Sequence, residues 1–450
     1  MKNSGHPGKY GEVRESVRNT VGYRRIISLF DEGSFQEIDA LEMSGDGPAE
    51  AVAGYGTVNG CPACAFSQNR SVSGGAMSKA QASKIRKTYQ LALKVGCPIV
   101  GIYDSIGGRL KEGADMLAAF GEILHDANRL SGVVPQLSLV FGPCTGTGAM
   151  LAASADIVIM SGEGELTVST AGEGGSPEEA VKTGVCHAAV KDEKEALETA
   201  RRLLAMLPSN NIASAPICDS VPALKKTEAS FSAREAAESV CDGGEFLELG
   251  AAFGTDAFTA LAHICGGAAG LVTLTGTIDA DSCSKAARFV RFCDSFSLPV
   301  ATFVDAEKFG TLRGAGMLSS AYSEATTAKI TAVTGSACGP VYIATVGRGA
   351  NADYAFAWPN AVVSALAPET AVVFLENDRL KGSSDPVADR KKLFEEYRST
   401  SASAATAAAD GMIEDIVEPE QTREKLAFCM EMLSTKRVST LPKKHADIQL

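Results

Sequence analysis

Apolar positions in this chain fall in short β-branched runs that alternate with longer stretches of helical spacing. The runs GCPIVGIYDS (96–105), VVPQLSLVFG (133–142) and ADIVIM (155–160) are apolar almost without interruption. That pattern predicts strands buried on both faces of a parallel sheet. Between them, AQASKIRKTYQLALKV (80–95) and KEGADMLAAFGEILHDANRL (111–130) repeat apolar residues every three to four positions, as amphipathic helices do. Strand and helix in alternation predict an α/β fold with crossover connections.

The same series of landmarks occurs twice. DEGSFQEID (31–39) resembles DGGEFLELG (242–250), and Phe35 and Phe246 are 246 − 35 = 211 apart. GCPIVGIYDS resembles SLPVATFVDA, with Pro98 and Pro299 separated by 299 − 98 = 201, an offset that Asp104/Asp305 and Met116/Met317 keep. A period this long with element order preserved is a duplicated domain, not a solenoid. The turn-rich segment 206–236 is the expected border, giving domains at 1–220 and 221–450, each long enough for its own core.

Composition narrows the function. The chain has 450 residues, 45% of them hydrophobic and 21% charged, with a formal charge of 42 − 54 = −12. An acidic balance argues against nucleic acid as the main partner. No uninterrupted apolar stretch reaches membrane-spanning length, and the first fifteen residues, MKNSGHPGKYGEVRE, lack a signal core, so cytoplasmic residence is expected. The twelve cysteines lie mostly in apolar runs and read as small buried hydrophobes. Cys61 and Cys64 form the one close pair, and without a second close pair or a His pair no metal site is expected; both are expected in a strand.

Two glycine-rich turns join a strand to a helix: YDSIGGRLKEG, with Gly107 and Gly108, and VFGPCTGTGAM, with Gly142, Gly146 and Gly148. Glycine allows close backbone approach, and a helix start offers unpaired N–H groups with partial positive charge. Phosphate cradling would use GxxxxGK[ST] and dinucleotide binding GxGxxG, and both motifs are absent. An oxyanion hole for an enolate or tetrahedral intermediate is left, beside plain corner packing. A matching turn, TGSACGPVYIATVGRG (334–349), follows in the second half, so two anion-stabilising sites are expected. Side-chain catalysts are poorly represented. GxSxG and HExxH do not occur, and of His6, His125, His187, His263 and His445 only His187, beside Cys186, invites a nucleophile reading. Glu112 and Glu122 are the candidate acid–base carboxylates of a hydratase-like enzyme.

Several ordered motifs carry a family resemblance. LFDEGSFQEID (29–39), GYGTVNG (54–60), SVSGGAMSKAQASKIRK (71–87), DSIGGRLKEG (104–113), GPCTGTGAM (142–150), LPSNN (207–211), AWPNA (357–361) and the tail TLPKKHADIQL (440–450) look like the carboxyltransferase (beta) subunit of biotin-dependent acyl-CoA carboxylases. That group is similar to propionyl-CoA carboxylase beta chains and to the carboxyltransferase subunits of sodium-pumping decarboxylases. The resemblance runs from about residue 20 to the C-terminus. It implies two tandem crotonase-like domains, acyl-CoA as substrate on the first and biotin, carried on a separate carrier protein, at the second. It implies a biotin carboxylase subunit as a further partner, a dimer or hexamer of this chain, and a membrane partner only in a decarboxylase pump. It assigns the thioester oxygen to Gly146 and Thr147, and the biotin ureido oxygen to Gly339, Pro340 and Val341. The turns Gly74–Gly75 and Gly107–Gly108–Arg109 are assigned to substrate binding. Arg70, Lys79, Lys84, Arg86 and Lys87 become candidates for the CoA phosphates.

The chain also departs from the family pattern. Ile106–Arg109 reads Ile-Gly-Gly-Arg where Gly-Gly-Ala-Arg is usual, and Thr145–Gly148 reads Thr-Gly-Thr-Gly where Ala-Gly-Gly-Ala is usual. Both changes keep backbone donors. Pro340 stands where glycine is usual and carries no N–H. This departure favours a third reading, a homologue that keeps the fold but not the catalysis. Ile343 occupies a position associated with acyl-chain preference, and the stretch 161–184 is short for the family.

Overall fold

The computed structural model describes residues 7–44, 47–168, 175–347, 351–439 and 441–447. Part of the shortened stretch, 169–174, and the tail positions 440 and 448–450 lie outside them. The chain divides between Pro216 and Ile217 into two compact units. The division falls inside the turn-rich segment and four residues before the border expected at 220/221.

In the first unit, β1 (Gln36–Glu37), β2 (Ala51–Val58), β3 (Cys61–Gln68), β4 (Ile99–Ser105), β5 (Gln136–Thr145), β6 (Ile157–Met160), β7 (Glu165–Thr167) and β8 (Ala188–Ala189) form one sheet in the order β1-β2-β3-β4-β5-β6-β8, with β7 added to the end of β5. Helix α1 (Lys79–Val95) crosses from β3 to β4, α2 (Ala114–Leu130) from β4 to β5, and the short α3 (Thr147–Ala153) from β5 to β6. The β3–β4, β4–β5 and β5–β6 pairs are parallel, as the three apolar runs predict. Ser78 starts α1 by accepting the Gln81 amide, and Gly96 ends it in the left-handed conformation. The inward faces of both long helices, including Ile85, Tyr89, Phe120 and Ile123, join Phe66, Ile99 and Tyr103 in one core.

The second unit repeats this plan. β9 (Phe246–Glu248), β10 (Ala257–Ile264), β11 (Gly267–Ile278), β12 (Val300–Phe309), β13 (Lys329–Cys338), β14 (Tyr354–Ala357), β15 (Val362–Ser364) and β16 (Asp415–Ile416) take the order β9-β10-β11-β12-β13-β14-β16, with β15 on the end of β13. Helices α4 (Ala280–Ser295), α5 (Leu312–Glu324) and α6 (Pro340–Thr345) are the counterparts of α1, α2 and α3. Even the hairpin turn is repeated: Asn59–Gly60 and Cys265–Gly266 both have positive φ at both residues, the geometry of a tight two-residue connection. The second core draws on Phe258, Leu271, Phe303, Ile330, Phe356 and Trp358, all from its own unit.

Cys61 and Cys64 both lie on β3, Cys61 exposed and Cys64 buried with its sulfur 3.6 Å from that of Cys97. Among the described residues no group of His, Cys, Asp and Glu could hold a metal ion. Burial pushes the thiols of Cys186 and Cys429 up to about 11, and those of Cys144, Cys241 and Cys283 up to about 12. A raised thiol pKa stabilises the fold fully below the unfolded value near 9 and loses that contribution as pH climbs toward the folded one. Each thiol therefore removes up to ~1.4 kcal/mol per pH unit above pH ~9. Thermal midpoints measured from pH 8 to 10.5 are expected to be level at first and then to drop steeply.

Candidate functional site

The first unit gathers three backbone segments at the carboxyl ends of β4 and β5. The turn holding Gly74 (φ 66°) and Gly75 (φ 70°) packs on the end of β4, where a Cβ on Gly74 would come within 2.6 Å of the Ile106 side chain. The loop 106–109 zips onto this turn: Ile106 donates to the Gly74 carbonyl at 3.1 Å, Met77 to that of Gly107 at 2.8 Å and Arg109 to that of Met77 at 2.8 Å. The third segment is the corner Thr145–Gly148. It touches the loop, since a Cβ on Gly107 would stand 3.4 Å from Thr145 Oγ1.

Gly146 turns the chain from β5 into α3 with φ 60° and ψ −127°, a conformation that favours glycine. Its own amide is committed: it donates to the Thr167 carbonyl at 2.8 Å, extending the β5–β7 pairing. This corrects the expectation that Gly146 supplies a donor. The amides of Thr147 and Gly148, the first two of α3, have no partner among the described residues, and both residues are partly exposed. The Gly108 amide is likewise unpartnered there, whereas that of Gly107 donates to Ser105 Oγ at 3.2 Å. Thr147, Gly148 and Gly108 are therefore the candidate oxyanion donors, offered by two adjoining segments.

A buried carboxylate underlies this corner. Between Tyr103 and Ser105 the β4–β5 register shifts, which brings Gly142 against the Asp104 side chain so closely that a Cβ there would collide with the carboxylate. Arg25 Nη1 donates to Asp104 Oδ2 at 2.7 Å, and the guanidinium also grips Glu193. Asp104 Oδ1 has no hydrogen-bond partner and lies 3.9 Å from Arg70. The second unit has the same shift between Val304 and Ala306, with Gly335 against Asp305; there Asp305 Oδ1 accepts the Ser336 amide at 2.8 Å. Pro143 occupies the equivalent place in the first unit (336 − 143 = 335 − 142 = 193) and has no amide to give.

Several residues singled out by sequence have other duties. Arg109 is paired with the fully buried Glu50 and donates to Ser44 Oγ at 2.8 Å and Ser73 Oγ at 2.7 Å, so it staples the loop and is not a free cation for substrate. Glu112 caps α1 by accepting the Lys79 amide at 2.7 Å, and Glu122 pairs with Arg86. Lys84 is buried on Glu37 and Lys87 is paired with Asp39. Of the five proposed phosphate cations, Arg70 and Lys79 are the most exposed, at 55% and 76%. His187 Nδ1 accepts the Val158 amide at 3.0 Å, and Cys186 beside it is fully buried, so they form no nucleophile pair.

The corner in the second unit has the same outline. Gly339 has φ 45° and ψ −117°, and its amide donates to the Ser364 carbonyl at 2.8 Å, as that of Gly146 does to Thr167. Pro340 and Ile343 are exposed at the start of α6, and Val341 is 0% exposed.

Two units of this plan, each with a strand-to-helix glycine corner, define a carboxyltransferase-type pair of crotonase-like domains. A family model described as "Carboxyl transferase domain" matches residues 16–448, and the chain belongs to that family. It is 32% identical to the methylmalonyl-CoA decarboxylase alpha subunit of Veillonella parvula over 498 residues, covering 98% of this chain and 96% of that protein. It is 33% identical to the propionyl-CoA carboxylase beta chain of Saccharopolyspora erythraea, covering 95% and 90%. Among solved structures it matches a transcarboxylase 12S hexamer with hydrolysed methylmalonyl-coenzyme A bound, with a TM-score of 0.90 at 30% identity, covering 98% of this chain and 95% of that one.

Proposed function

We propose that this chain is the carboxyltransferase subunit of a biotin-dependent acyl-CoA carboxylase or decarboxylase, and that its first unit holds the thioester of a short acyl-CoA. The observation that carries this is the set of amides at Thr147, Gly148 and Gly108, unpartnered among the described residues and carried by partly exposed residues of two adjoining segments. An α-carbon becomes nucleophilic, or loses a carboxyl group, when the thioester oxygen takes on enolate charge. Fixed N–H donors aimed at that oxygen lower the barrier by a few kcal/mol each and need no side-chain base. Arg70 and Lys79 are the cations proposed for the CoA phosphates.

Exposed apolar side chains lie on or beside the corner segments: Ile106, Leu110, Met150 and Val168 in the first unit, Ile343 and Leu366 in the second. Patches of this kind are covered in stable assemblies, and a homo-oligomer, dimer or hexamer, is the assembly proposed. The second unit would face biotin on its carrier protein, with a biotin carboxylase as the other partner in a carboxylase and a membrane subunit in a pump. No helix among the described residues is long and apolar enough to cross a membrane, and cytoplasmic residence is proposed with it.

Incubation with methylmalonyl-CoA is expected to yield propionyl-CoA and CO2, measured by chromatography. Hydration of crotonyl-CoA without any such reaction would replace this reading by the hydratase one, which the engaged Glu112 and Glu122 disfavour.

A further inference from the structure

The resemblance assigns the ureido oxygen of biotin to backbone donors at Gly339, Pro340 and Val341. The chain does not fit that assignment. The Gly339 amide is committed to Ser364, Pro340 has no amide, and Val341 is closed off at 0% exposure. The loop side differs as well. Gly107 and Gly108 correspond, at the 201 offset, to Lys308 and Phe309, which are not loop residues but continue β12 in register with Thr277 and Ile278 of β11. Local charge is unhelpful to an oxyanion. Glu307 and Glu369 act on Cys338, next to Gly339, and Asp305 and Glu307 are exposed on the same strand end, against Lys308 as the basic group there.

We infer that the two corners have been uncoupled: the first still stabilises a thioester enolate, while Pro340 leaves the second without the N–H that would draw charge onto the ureido oxygen. The inference rests on the reading of the first corner given above and departs from its biotin half, in which the second unit would serve biotin. It assigns the chain an activity that needs no biotin. With a carboxyacyl-CoA, the bond between the α-carbon and its carboxylate breaks, CO2 leaves, and the electron pair passes into the thioester to give the enolate held at Thr147, Gly148 and Gly108. Water then supplies the proton to the α-carbon.

The test uses the full chain, methylmalonyl-CoA and free biotin, with Pro340→Gly and Pro340→Ala as variants. Either substitution restores an amide at the first position of α6, and alanine does so without added backbone freedom. Biotin-free conversion to propionyl-CoA, which in D2O carries one solvent deuterium at the α-carbon by NMR, is expected to be equal in all three proteins within about twofold. Carboxyl transfer to biotin is expected to rise at least ~100-fold in both variants, the effect of one oxyanion donor. A variant-to-wild-type transfer ratio near one, with biotin-free turnover intact, overturns the inference, whether all three transfer or none does. Loss of biotin-free turnover in all three proteins sinks the thioester reading, and the inference with it; the deuterated propionyl-CoA signal, present in the first failure and absent here, separates the two.

Discussion

Thr147→Pro is expected to lower biotin-free turnover of methylmalonyl-CoA by about 10²–10³-fold while the thermal midpoint stays within a few degrees. Proline is well tolerated at the first position of a helix, where its missing N–H has no intrahelical role. The chain already accepts it at the equivalent site: Pro340 follows Gly339 as Thr147 follows Gly146 (340 − 147 = 339 − 146 = 193). The substitution therefore removes a donor without breaking the corner. Gly146→Pro would be a poorer experiment, because φ 60° lies far from the value near −65° that proline imposes. A Thr147→Ala control keeps the amide and is expected to retain activity within severalfold. Turnover in Thr147→Pro equal to that of the control would move the oxyanion site elsewhere.

The largest stability effect is expected from Arg25→Met. Arg25 and Asp104 have side-chain exposures of 8% and 6%, and Asp104 already has one oxygen without a hydrogen bond. Removing the guanidinium leaves a carboxylate buried with only the distant, half-exposed Arg70 near it. Breaking a buried pair from one side typically costs about 3–5 kcal/mol. Glu193, the other partner, has 40% of its side chain in water, so Glu193→Gln is expected to cost under ~1 kcal/mol. Denaturant midpoints measure both. Adding Asp104→Asn to Arg25→Met is expected to recover part of the loss, since the stranded charge is then gone; no recovery would mean that the arginine acts through packing on Phe141 instead.

The fold was legible because its signals are local. Three uninterrupted apolar runs became β4, β5 and β6, and the two helical patterns between them became α1 and α2. The duplication was visible in Asp104/Asp305 because an aspartate stands at the same register shift in each copy. The site was legible only in outline. Both glycine corners stood out, yet which amides remain free depends on pairings with distant chain. Gly146 is committed through β7, some twenty residues later, and nothing near GPCTGTGAM announces that partner. The stapling role of Arg109, in a turn assigned to substrate binding, is hidden in the sequence because its buried partner, Glu50, lies 109 − 50 = 59 residues earlier. Pro340 was the exception. A residue that lacks a hydrogen can be read from one letter.

Among the described residues each sheet is built from its own eight strands and each core is filled by its own side chains. One half can therefore accumulate changes at its corner without unsettling the scaffold of the other. The duplicated architecture acts as two separately editable copies, and a lineage can silence one while selection still maintains its twin.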